Sequence, residues 1–221
     1  MPDAAVPPHL AVPPAERAAL DELCARDPDL ARIEAAAGPL VWRRRPKGFA
    51  GLLAAIVGQQ ISNAAAAAIW SRLAALAPPA PDAEALLRLT DEALRGAGLS
   101  RPKIAYARAL AQAVASGRFD PDALEGMADE EAIATLTALP GFGRWTAEIY
   151  LLFALERRDV FPAADLALAA SAAALKGLER RPGERDLRAL AEAWAPARGL
   201  AARLLWHHWR FVTARPAFDP R

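Results

Sequence analysis

The chain has 221 residues, is 54% hydrophobic and carries a formal net charge of +1. It is too apolar for a disordered protein, yet no uninterrupted apolar run reaches the roughly 20 residues of a membrane span. One cysteine and three histidines, with no HExxH or CxxC spacing, exclude an internal disulfide and a four-cysteine cluster and argue against a side-chain metal site.

In chain order the pattern is helical almost throughout, and no period-2 series marks a strand. Residues 1–13 are Pro-rich and read as a loose arm; they hold no basic segment followed by an apolar stretch, so a soluble cytoplasmic protein is expected. Pro14 starts a helix to about Arg26, Asp27-Pro28 breaks it, and a second helix ends near Gly38. The connector Pro39–Lys47 clusters Arg43, Arg44, Arg45 and Lys47, and Arg198, Arg203 and Arg210 recur near the end. Such charges form either a solvated face or a phosphate-facing surface.

Phe49, Leu52, Leu53, Ile56 and Val57 give a buried helix over 49–59, interrupted at Gly58-Gln59-Gln60-Ile61. Ser62 caps the next helix, from about Asn63 to Ala77. Thr90-Asp91-Glu92 opens a short helix that stops at Gly96 and Gly98, and Ser100 caps one that ends at Gly117. Further helices are expected over 129–138, 144–155, 165–175, 184–195 and 198–213, and Cys24 reads as a small core residue.

Leu139-Pro140-Gly141-Phe142-Gly143 separates two of these helices. Pro140 cannot continue a helix, and Gly141 and Gly143 permit backbone angles that other residues resist. The turn is either an ordinary helix–helix connection or an anion site. In the second case the first amides of the following helix point outward and Arg144 adds a mobile positive charge.

The continuation LPGFGRWTAEIYLLFALERRDVFPAADLAL resembles the helix-hairpin-helix DNA glycosylase superfamily, in which such a hairpin is followed by a helix, a loop and an obligatory Asp. Here that residue is Asp165, 22 residues beyond Gly143. FAGLLAAIVGQQISNAAAAAIWSRL, GLSRPKIAYARALA and EAWAPARGLAARLLWHHW are similar to its alkylpurine branch, the 3-methyladenine DNA glycosylase II group. The resemblance implies an all-α, two-lobed helical fold without an N-terminal β domain. Residues 14–48 and 160–213 would form a discontinuous terminal lobe, and 49–159 a central lobe with the hairpin at 129–155.

It further implies a base-flipping enzyme of base excision repair, acting as a monomer on double-stranded DNA with no required cofactor. The backbone carbonyls of Thr137, Leu139 and Phe142 would hold a structural Na+ or K+. Gly141, Gly143, Arg144, Ser62 and Lys103 would meet the DNA backbone. Gln60 would be the wedge that enters the duplex, with Gln59 supporting the loop or pocket; two exposed or capping amides is the plainer alternative.

Bifunctional members carry a lysine two residues after the last hairpin glycine. Trp145 stands there, so no amine is available for a Schiff base and lyase activity is not expected. Trp145 and Trp206 match pocket aromatics of the family, where an indole face suits cationic 3-methyladenine and 7-methylguanine; core packing is the alternative. The family's second aromatic on that helix is replaced by Ile149, and the adjacent Tyr150 points elsewhere. Position alone makes Asp165 a helix N-cap; the resemblance makes it the catalytic carboxylate, and the two roles are compatible. A non-catalytic hairpin DNA-binding protein and a glycosylase for neutral lesions such as hypoxanthine are the competing readings.

Overall fold

The computed structural model describes residues 7–78 and 80–213, and among them the chain is all α, with twelve α-helices and no strand. It forms two compact units: residues 7–43 with 156–213, and residues 44–155. The divisions fall at Arg43/Arg44 and Leu155/Glu156, slightly ahead of the boundaries expected at 48/49 and 159/160.

In the discontinuous unit, α1 (Pro14–Arg26) and α2 (Pro28–Ala37) each begin on a proline, whose missing N–H is no loss there. Asp27 caps α2 by accepting the Asp29 N–H at 3.1 Å. The arm is less loose than expected. Pro8–Leu10 make a 3-10 turn, and the Leu10 carbonyl accepts the Trp42 N–H at 2.7 Å. The expectation for residues 1–6 lies outside the described residues.

The central unit runs through α3 (Gly48–Gly58), α4 (Asn63–Leu76), α5 (Ala83–Arg88), α6 (Asp91–Ala97), α7 (Arg101–Ala115), α8 (Asp129–Thr137) and α9 (Arg144–Phe153). Leu52, Leu53 and Ile56 are fully buried on α3, which packs against α4, α7 and α9. Ser62 caps α4 as expected, accepting the Ala65 N–H. Ser100 makes no such bond, because Pro102 removes one of the two amides an N-cap can take. Six-residue α5 is too short to show a period, although Asp82 caps it.

The chain then returns to the first unit with α10 (Leu166–Lys176), α11 (Glu184–Ala191) and α12 (Arg198–Val212). The helix expected over 184–195 ends at Ala191 and tightens into a 3-10 turn at Glu192–Trp194. Here α10 packs on α12 and α2. Lys176 Nζ bridges Asp27 at 2.7 Å and Asp29 at 2.9 Å, and Trp194 Nε1 donates to Asp27 at 2.7 Å. Burial pushes the Asp27 carboxyl up, but the Lys176 and Trp194 hydrogen bonds outweigh it and hold it below the usual value.

The arginines do not share one environment: Arg44 is exposed, while others are buried or paired. Arg203 is buried with its guanidinium 3.9 Å from the Trp42 ring centroid, and it donates to the carbonyl of Arg43, itself buried. Arg198 pairs with Asp159 and Glu192. In the central unit Arg45 sits over the Phe153 ring and Lys47 pairs with Glu125. Cys24 is only half-buried rather than core.

Candidate nucleic-acid interface and carboxylate site

The hairpin between α8 and α9 is built from two glycines with different reasons. Gly141 has φ +88, a left-handed conformation, and an added Cβ would lie 2.5 Å from the Tyr106 ring. Gly143 has φ −87, open to any residue, and nothing lies within 4 Å of where its Cβ would be. The expectation of an unusual backbone angle therefore holds for Gly141 and fails for Gly143. What Gly143 provides is an open N-cap of α9 with no side chain over it. Phe142 is buried beneath the turn, and its N–H donates to the Leu139 carbonyl at 3.2 Å.

Arg144 is not mobile. Its Nε donates to Glu148 at 2.9 Å, its NH1 to Glu130 at 2.9 Å, and Glu148 is buried. The Glu130 hydrogen bond leads the causes that raise this guanidinium's pKa, so Arg144 stays charged. A phosphate reaching it must share it with two carboxylates.

The loop after α3 faces the same hairpin. Gln59 Nε2 donates to the Gly141 carbonyl at 2.8 Å, so this amide braces the turn. Gln60 is exposed and has φ +56, a conformation that costs a non-glycine residue energy. Lys103 Nζ donates to the Val57 carbonyl at 2.7 Å, at the end of α3, and burial lowers its pKa. Lys103 thus stabilises the helix that presents the two glutamines. Ser62 Oγ accepts the Ala65 N–H in its cap, a bond that does not use its O–H as a donor.

Trp145, in the first turn of α9, is 42% exposed. It lines a cavity of about 440 Å³ together with Ile149 and with Trp70 of α4, a residue that the sequence reading did not single out. Tyr150 is buried away from that cavity; its hydroxyl accepts the Gly48 N–H at 2.9 Å, and burial pushes its pKa up to about 12.

In the other unit Asp165 caps α10, accepting the Ala167 N–H at 2.9 Å and the Leu168 N–H at 3.0 Å on Oδ1. Trp206, on α12, donates Nε1 to the same oxygen at 3.2 Å. Three donors converge on one oxygen and hold the carboxylate at the start of α10. The next residue, Leu166, is 65% exposed. Trp206 therefore has a polar task beside Asp165 that the sequence did not show. Its neighbours bond elsewhere: His207 Nε2 with the Gly38 carbonyl at 2.9 Å, and His208 Nδ1 with Ser171 Oγ at 2.8 Å.

An all-α architecture, a glycine-lined hairpin with an open helix N-terminus, and a carboxylate fixed at another helix cap define a helix-hairpin-helix protein of the DNA-repair type. The chain belongs to the HhH-GPD superfamily of base excision DNA repair proteins, whose family model matches residues 53–197. The stretch includes the glutamine loop, the hairpin and Asp165; Trp206 lies beyond it.

Similar proteins agree. DNA-3-methyladenine glycosylase 1 of Schizosaccharomyces pombe is 34% identical over 158 residues, covering 70% of this chain and 69% of its own. DNA-3-methyladenine glycosylase 2 of Escherichia coli is 30% identical over 165 residues, covering 69% and 55%. The crystal structure of a DNA-3-methyladenine glycosidase from Bacillus halodurans superposes with a TM-score of 0.79 at 36% identity, over 89% of this chain and 91% of that one. The S. pombe 3-methyladenine DNA glycosylase in complex with abasic DNA gives 0.77 at 30% identity, over 92% and 100%. No helix among the described residues is long and apolar enough to cross a membrane.

Proposed function

We propose that this protein is a monofunctional DNA glycosylase that excises alkylated purines, 3-methyladenine and 7-methylguanine, from duplex DNA. The observation that carries the reading is the Asp165 carboxylate, held at the cap of α10 by two backbone amides and the Trp206 indole. Cleaving the N-glycosidic bond builds positive charge on the sugar, and a fixed anion stabilises that charge. Water adds to C1′ and loses a proton, which the Asp165 carboxylate accepts. The departing purine keeps the bond's electron pair and leaves neutral, because it entered as a cation. A general acid is not needed.

Before that step the nucleotide must leave the stack, and exposed Gln60 fills the gap by hydrogen bonding to the orphaned partner base. The α9 amides at Gly143 bind a phosphate. The carbonyls of Thr137, Leu139 and Phe142 suit a Na+ or K+, since Thr137 closes α8 at the negative end of its dipole. That ion would bridge the hairpin to the DNA backbone; it takes no part in the chemistry. The protein works as a monomer, in the compartment that holds the DNA.

The test is Asp165→Asn. Asparagine is as good an N-cap, so the fold is retained while the charge is lost. Excision of 3-methyladenine should fall by at least ~100-fold with DNA binding largely intact; release at the wild-type rate refutes the assignment. Borohydride should trap no covalent DNA adduct, because position 145 carries no amine; an adduct would refute the monofunctional reading.

A further inference from the structure

The central unit's cavity lies among α3, α4 and α9, and its volume of about 440 Å³ suits a small aromatic ligand. Its shape follows from residue spacing. On α3, Gly51, Ala54 and Gly58 recur at helical period along one face and leave room. On α4, Asn63, Ala66, Ala67 and Trp70 follow i, i+3, i+4, i+7, so one helix face fronts the space. Trp70 is the one large group on that face. From α9 come Trp145 and Ile149, the latter aliphatic where the resembling family carries a second aromatic. Small side chains on two helices thus open a space whose aromatic walls are two indoles; Gln59, Gln60 and Ile61 also line it, as does Arg45, whose guanidinium lies over the Phe153 ring.

We propose that Trp70 is a base-contacting residue that sets specificity, supplying from α4 the aromatic face that Ile149 does not supply from α9. The inference rests on the glycosylase reading above and names its substrate class more narrowly. Two indole faces favour a flat purine with delocalised positive charge over a neutral one, because the ring quadrupole attracts cations while stacking alone is tolerant of base identity.

The test uses the full chain as wild type, Trp70→Phe and Trp70→Leu. Single-turnover excision is followed on duplexes carrying 3-methyladenine or hypoxanthine, and free 3-methyladenine, which is neutral and so reports stacking alone, is titrated by tryptophan fluorescence. Trp70→Leu should raise the half-saturating concentration for the methylated duplex and weaken free-base binding, each about tenfold. Its rate at saturation should change little, and Trp70→Phe should recover most of the loss. The effect on hypoxanthine should be smaller.

Unchanged free-base affinity in Trp70→Leu, or equal losses on both lesions, overturns the proposal. Should Trp70→Leu not fold, Ala67→Leu fills the same face without removing an aromatic ring; unimpaired base binding by that variant also overturns it. A wild-type protein that releases no methylated purine instead refutes the glycosylase reading, and the free-base titration then decides on Trp70 separately.

Discussion

The starts of α9 and α10 are the same local element finished in two ways. Both helices follow a Pro- and Gly- or Ala-containing turn, and both begin with orphan amides that need an acceptor. At α10 the acceptor is internal: Asp165 takes the Ala167 and Leu168 amides itself. At α9 the cap is Gly143, with no side chain to accept them and open space where its Cβ would be. One terminus has brought its own carboxylate; the other carries no capping side chain, and in the proposed glycosylase it would meet a phosphate. In the proposed function one amide-rich motif would serve catalysis in one unit and binding in the other, with the side chain at the cap as the difference between them.

Exchanging or spoiling the two caps gives graded effects. The largest should come from Asp165→Ala, which removes charge and cap together: excision falls at least ~100-fold, and thermal unfolding shows a loss of about 1 kcal/mol that Asp165→Asn does not share. Equal stability of the two variants would separate the carboxylate from the cap. Next is Gly141→Ala, where a methyl meets the Tyr106 ring and φ is +88; denaturant unfolding should register a loss of about 2 kcal/mol. Gly143→Asp should act in the opposite sense. Its backbone, at φ −87 and ψ 164, suits an aspartate N-cap, so unfolding stability should hold or rise by up to ~1 kcal/mol. DNA affinity should meanwhile fall about tenfold as the carboxylate takes the phosphate's place.

The smallest effect concerns acid. The Asp27 carboxyl, whose pKa the Lys176 and Trp194 hydrogen bonds hold below its ordinary value, contributes stability that is fully present above that ordinary value. It is lost as pH falls through the folded-state value. A pH series of melting temperatures should therefore drop on the acid side, less so in Asp27→Asn; identical acid limbs would contradict the linkage.

What the sequence could show divides along the same line. Backbone-local features were legible: most of the helices, the Ser62 cap, the hairpin turn and Asp165 as an N-cap follow from proline, glycine, cap chemistry and period. The family resemblance added the link between hairpin and carboxylate. Long-range partners were not legible. The locking of Arg144 by Glu130 and Glu148, the burial of Arg43 and Arg203, and the Trp206 bond to Asp165 all join residues that no local spacing relates. Trp70 stood in an alanine-rich helix whose period was too uniform to mark a functional face. Its recurrence with Asn63 and Ala66 has meaning only once α3 and α9 are seen opposite it.

The most direct measurement is a paired one: DNA affinity and single-turnover excision of 3-methyladenine at saturating enzyme, for Asp165→Asn and Gly143→Asp side by side. A crossed result is expected. Asp165→Asn should bind DNA nearly as the wild type does but excise at least ~100-fold more slowly, while Gly143→Asp should bind about tenfold more weakly yet excise at nearly the wild-type rate once saturated. If both variants lost binding and chemistry in parallel, or if Asp165→Asn excised normally, the division of labour between the two helix caps would be wrong.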